Sequence, residues 1–266
     1  MHVLGMTGKI KNNFIYEKIK ACIIKADGKT ILEYYRKAKS ADSLHRINSC
    51  TKSFVGALTG ICVDKGLIKS LDVPISHYFD RYTTMSEFIG KEKITVRHLL
   101  TMTSGINWPE FGEWNSFPPM YYSKDMIRFI LSRPMLYVSG EKMNYSSGDT
   151  QLLGEIISKA SDMPLIDFAR KELFEPLGIS DFNWICRDGH AMAANGLRLK
   201  PSDLIKLSEL YLNNGIYDGK RILSEEWITT SFETCPTVYD EIGSYGYHWW
   251  GNEFVLNDIS YKVNFA

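Results

Sequence analysis

Nowhere in the 266 residues does an apolar run approach the roughly 18 consecutive residues of a membrane-crossing helix. The first stretch, "MHVLGMTGKIKNNF", carries Lys9 and Lys11 and no apolar core of signal-peptide length, so the chain reads as cytoplasmic. An excess of either charge is also missing. Lysine plus arginine and aspartate plus glutamate number 31 each, and no basic stripe stands out. That argues against nucleic acid or an anionic membrane as partner. Cysteine is sparse: Cys22, Cys50, Cys62, Cys186 and Cys235 are scattered and odd in number. None forms a Cys-x-x-Cys pair or a Cys/His cluster with zinc spacing, and there is no His-Glu-x-x-His. Reduced, buried thiols are expected, with neither a metal nor a cofactor. A Gly-x-Ser-x-Gly elbow is absent too, which sets aside the α/β-hydrolases.

What is present is ample core material, 44% hydrophobic and 13% aromatic, with no internal repeat. "ACIIK" and "TILEYYR" read as a hairpin turning at Asp27-Gly28. From Ser49 the pattern becomes helical. Phe54, Leu58, Ile61, Cys62 and Lys65 follow a 3.6 period, and Gly66 stands where a left-handed cap belongs. Further helices are predicted after Thr95, after Ser123, over 148–160, 165–177 and from Pro201, and over 225–232. From Tyr245 the text is β-like to Ala266. Strands, helices, then strands predict a mixed α/β (α+β) fold, an antiparallel sheet flanked by helices with a mostly helical insertion. The expected division is 1–48 with 220–266 as the sheet-containing part and 49–219 as the helical part.

In "RINSCTKSFVGAL", Ser49 and Lys52 stand three apart at the head of the predicted helix, on one face. Serine needs an adjacent base to become a nucleophile, and lysine serves only if burial or nearby cations lower its pKa. The spacing alone says little. With 23 serines and 21 lysines in the chain, chance gives about two Ser-x-x-Lys matches. Two occur, the other being Ser139 with Lys142. Context favours Ser49, which opens an apolar helix, whereas Ser139 lies in a loop beside Gly140. A second constellation, Tyr145-Ser146-Ser147, stands just before a helix. A tyrosine there can relay a proton, although most of the 15 tyrosines simply pack.

Four ordered blocks, "SCTKSFVGALTGICVDKGLI", "ITVRHLLTMTSGINW", "YSSGDTQLLGEII" and "FEPLGISDFNW", resemble the serine β-lactamase-related family over roughly residues 20–250. That family includes class C β-lactamases, DD-peptidases, esterases and 6-aminohexanoate-dimer hydrolases. The resemblance implies a β-lactamase/transpeptidase-like fold and a serine hydrolase acting on a small ester, amide or β-lactam. Ser49 would be the acylated nucleophile, Lys52 its partner base and Tyr145 the proton relay. Ser147, which falls where relatives carry Asn or Ser, would contact substrate or Lys52, and the Ser49 N–H would supply half of an oxyanion hole. Whether Lys52 or Tyr145 is the acylation base stays open at this point. Cys50 and His98 are expected to be structural. Trp108 and Trp114, in the aromatic loop with Phe117 and Tyr121, are candidates for substrate contact, with packing as the equal alternative.

One departure stands out. The family's third motif, Lys-Thr-Gly or a His-x-Gly or Gly-Gly variant, is absent from the 266 residues. The resemblance places it just beyond "VNFA", so a C-terminally truncated chain with an incomplete sheet is expected. The alternative reading is a binding or sensing member that acylates weakly or not at all.

Overall fold

The computed structural model describes residues 18–111, 114–233 and 243–266. Strands β1 (Ala21–Ala26) and β2 (Lys29–Tyr35) pair antiparallel. Asp27 (φ 49°) and Gly28 (φ 72°) make the turn in the left-handed region that this dipeptide favours. After the short β3 (His45–Arg46), Asn48 takes φ 47°, and helix α1 runs Cys50–Asp64. Residues Thr51–Cys62 of α1 are buried on every side, so this helix is the axis of the core rather than an amphipathic surface helix. Gly66, at φ 70°, ends it.

Helix α2 (Val96–Leu100) is closed at its start by a reciprocal cap. Thr95 Oγ1 accepts from the His98 N–H while the Thr95 N–H donates to His98 Nδ1, the structural role expected of His98. Then come α3 (Phe117–Tyr122) and α4 (Met126–Leu131). The expected helix after Ser123 starts later, because Asp125 is the residue whose side chain caps it, accepting from the Arg128 N–H at 2.9 Å. Helix α5 (Ser147–Ser161) packs against α1 and carries Leu152, Leu153, Ile156 and Ile157 into the core. Helix α6 (Leu165–Ala169) continues as a wider turn over Arg170–Phe174.

Short strands β4 (Asn183–Trp184), β5 (Cys186–Arg187), β6 (His190–Ala191) and β7 (Leu197–Leu199) follow. Strand β7 pairs with both β3 and β4, a three-stranded patch beneath the head of α1. Then come α7 (Pro201–Leu212), the small hairpin β8 (Ile216–Tyr217) and β9 (Lys220–Arg221), and α8 (Glu225–Ser231). Strands β10 (Ser244–Tyr245), β11 (Trp250–Leu256) and β12 (Ile259–Phe265) form a separate antiparallel sheet. Among the described residues this sheet and the β1–β2 hairpin do not hydrogen-bond to one another. An open groove of about 760 Å³, lined by Ala21, Ile47, Cys50, Leu199 and Leu204 among others, runs from β1 past the head of α1. The fold is thus a mixed α/β arrangement of helices around α1 with small antiparallel sheets. No helix among the described residues is long and apolar enough to cross a membrane. Cys22, Cys50, Cys62 and Cys186 are free thiols, and Cys235 lies outside the described residues.

Candidate active site

Ser49 is exposed at the head of α1, immediately after the left-handed Asn48, so its hydroxyl stands clear of the first helical turn. One turn on, Lys52 is only 2% exposed. Its amine reaches three oxygens: Ser49 Oγ at 3.2 Å, Ser147 Oγ at 3.2 Å and the Ala194 carbonyl at 3.1 Å. An ammonium has three N–H donors, so each is used. Burial pulls the Lys52 pKa down to about 8, against the opposing attraction of Glu110. At pH 7 about one molecule in ten then carries the neutral amine, against fewer than one in a thousand for an ordinary lysine.

The Ala194 carbonyl is held in place by its neighbours. Gln151 of α5 donates to the Ala191 carbonyl and accepts from the Ala193 N–H, which pins the segment leading to Ala194. The Ile47 N–H donates to the Leu197 carbonyl, and the Leu197 N–H donates to Thr51 Oγ1, tying β7 to the start of α1. Polar groups supplied by the helices thereby fix a loop whose own sequence has no regular structure.

Tyr145 precedes α5, whose first turn is capped by Ser146 Oγ accepting from the Asp149 N–H. The Tyr145 ring is 7% exposed and lies under Lys52, with Nζ 4.9 Å from the ring centre. Phe111 and Trp250 stack on it at 5.6 and 5.7 Å, and Tyr245 meets it edge-on at 6.2 Å. Burial raises its pKa to about 12, partly offset by a hydrogen bond with Ser49. The phenol therefore keeps its proton at neutral pH.

Glu110 completes the cluster. Oε1 accepts from Ser147 Oγ at 2.7 Å, and Oε2 accepts from the Ser147 N–H at 2.9 Å and from Trp108 Nε1 at 2.6 Å. Deeper still, Asp149 accepts from Ser104 Oγ and Ser146 Oγ through Oδ1, while Oδ2 has no partner. Burial pushes its pKa up to about 7, with those hydrogen bonds opposing. His248, in the segment before β11, faces Tyr245 Oη at 3.1 Å and Thr150 Oγ1 at 3.4 Å. Burial, with Lys52 nearby, lowers its pKa to about 3, so the ring is neutral.

The structure brings Ser49, Lys52, Tyr145 and Ser147 into one cluster. Trp108 belongs to the layer beneath it: 1% exposed, it packs on Gly148, meets Phe129 edge-on and hydrogen-bonds to Glu110. Trp114 is 57% exposed, and no hydrogen bond or ring contact among the described residues joins it to the cluster. Cys50 turns its thiol toward the Ala266 carbonyl at 3.6 Å, and burial raises its pKa, so it stays a thiol. The second Ser-x-x-Lys pair is plain loop structure: Ser139 Oγ donates to the Ser104 carbonyl and Lys142 lies over the Tyr137 ring. Sequence reasoning passed over Glu110, Phe111, Asp149, the Ala194 carbonyl and Trp250. A carboxylate inside the tryptophan-rich loop was the one available signal. Among the described residues no group of three or more His, Cys, Asp and Glu is arranged to hold a metal ion.

Known proteins resemble this chain in sequence and in fold. Beta-lactamase-like protein 2 of Dictyostelium discoideum is 27% identical over 174 residues, covering 63% of this chain and 31% of that one. The 6-aminohexanoate-dimer hydrolase of Paenarthrobacter ureafaciens is 22% identical over 262 residues, covering 88% and 64%. The chain thus spans about a third to two thirds of these relatives' lengths. Among solved structures, the octameric penicillin-binding protein homologue from Pyrococcus abyssi superposes with a TM-score of 0.73 over 95% of this chain and 65% of that chain, at 23% identity, and so shares the fold. The sequence pattern of the beta-lactamase family matches residues 21–253. That span takes in every residue of the cluster around Lys52, and on it the chain belongs to the beta-lactamase family.

Proposed function

We propose that the protein is a serine hydrolase that forms an acyl-enzyme on Ser49 with a small ester or amide. The observation that carries this is the buried Lys52 amine, its pKa drawn down to about 8, at 3.2 Å from an exposed serine hydroxyl. In its neutral form Lys52 takes the Ser49 proton as Oγ attacks the carbonyl carbon. The Ser49 N–H, at the positive head of α1, faces the developing oxyanion. As the tetrahedral intermediate collapses, Tyr145 gives its proton to the departing alkoxide or amine and recovers one from the Lys52 ammonium. Water then attacks the ester, giving its proton back through the same pair and releasing Ser49.

The carboxylates and the imidazole take no part in these transfers. His248 is neutral and turned to Tyr245 and Thr150, and Asp149 lies below the Ser146 cap. The test is turnover of p-nitrophenyl esters and small amides by the parent and by Ser49→Ala. Release by the parent that vanishes in the variant supports the reading; equal release by both overturns it.

A further inference from the structure

We propose that Glu110 is a positioning residue that acts through Ser147, fixing which way the Lys52 amine presents its lone pair. This rests on the reading of Lys52 as the base for Ser49. The neutral amine has two N–H donors and one lone pair. The Ala194 carbonyl can only accept, so one donor is committed there at 3.1 Å. Ser147 Oγ could either accept from Lys52 or donate to it. Glu110 Oε1, at 2.7 Å, takes the Ser147 proton, and that leaves Ser147 Oγ an acceptor toward Lys52. Both amine donors are then used, and the lone pair is left pointing at Ser49 Oγ.

Glu110 is in turn immobilised, because its other oxygen accepts from the Ser147 N–H and from the buried Trp108 indole. With every one of these contacts inside the protein, the carboxylate is arranged to hold Ser147 rather than to meet a cationic substrate. Its negative charge also favours the ammonium form of Lys52, opposing burial. The other ionisable groups facing the amine are Cys50 on its own helix, Tyr145 ahead of α5 and His248 before β11. The first two stay protonated and the last is neutral, so Glu110 is the charge that sets the balance.

Glu110→Gln removes the charge and places an amide donor against groups that themselves donate. Two shifts follow. The Lys52 titration midpoint falls by about one unit. The Ser147 proton, released from the carboxylate, competes for the lone pair, so the high-pH plateau of Ser49 acylation drops about tenfold. The experiment follows the ¹³Cε resonances of labelled lysines from pH 5 to 11, with Lys52 identified by its loss in Lys52→Met, beside fluorophosphonate acylation rates over the same range. A midpoint that falls together with the plateau supports the proposal. A plateau that stays at the parent value overturns it, whether or not the midpoint moves. Glu110→Ala, which introduces no donor, must lower the plateau as well as the midpoint and decides the matter if the glutamine variant does not fold. Failure of the parent to acylate Ser49 at any pH contradicts the proposed function, and with it this proposal.

Discussion

Lys52 Nζ lies 3.1 Å from the carbonyl oxygen of Ala194, an acceptor supplied from 142 positions along the chain. The same amine lies 3.2 Å from Ser147 Oγ and 3.2 Å from Ser49 Oγ, and on the proposed reading Ser49 is the group it deprotonates.

Replacing Lys52 by methionine, which fills similar apolar volume without a base, should slow Ser49 acylation by about 10²–10⁴. The variant should still melt cooperatively, because it no longer buries a charge. Fluorophosphonate labelling rates beside thermal melts check both halves. Undiminished labelling would remove Lys52 from the chemistry.

The pH profile of acylation should rise through neutrality and level off above about 8, since the active form is the neutral amine and burial holds its pKa there. A profile still climbing at pH 10 would show an ordinary, solvated lysine.

Asp149 makes a stability prediction of opposite sense. Its folded pKa, raised to about 7, exceeds the unfolded value near 3.9, so the folded state binds the extra proton between about pH 4 and 7. Stability contributed by the protonated carboxyl is present below pH 4 and is lost as pH rises through 7, about 4 kcal/mol in all. Asp149→Asn keeps an acceptor for Ser104 and Ser146 and cannot ionise. Denaturation at pH 5 and pH 8 should show that difference shrink or vanish in the variant.

Gly148 sits where α5 meets Trp108, and a Cβ there would fall 2.8 Å from the indole. Gly148→Ala should therefore destabilise the protein by about 1–3 kcal/mol, despite alanine's better helix propensity. It should also slow Ser49 labelling, because the displaced indole carries one of the hydrogen bonds to Glu110.

Ser139→Ala and Lys142→Ala, in the other Ser-x-x-Lys pair, should leave labelling unchanged. Their contacts are a loop hydrogen bond and a lysine over Tyr137, remote in role from the acylation site.

The parts of this fold legible in the sequence are those decided locally. Asp27-Gly28 dictates its turn, and the apolar period from Phe54 to Gly66 dictates a helix of that extent. Phe117–Tyr122 escaped because Pro118-Pro119 reads as a break, although proline is well tolerated in a first helical turn. Two- and three-residue strands such as His45–Arg46 and Leu197–Leu199 are too short to show a period, and they pair only because distant segments meet. Within the site, Ser49 and Lys52 were visible as a spacing, yet that spacing equally marked Ser139 and Lys142. Burial separates the two pairs, and burial of Lys52 depends on α5 and the Ala194 segment. Glu110 showed only as a carboxylate among tryptophans, for the same reason: its partners exist only once the tryptophan loop lies against α5.

The most direct test of the central claim is the intact mass of the protein after incubation with a fluorophosphonate, beside Ser49→Ala. One adduct per chain, mapped to Ser49 and absent from the variant, is the predicted result. An unmodified parent that melts cooperatively, or an adduct that persists in Ser49→Ala, would contradict the account.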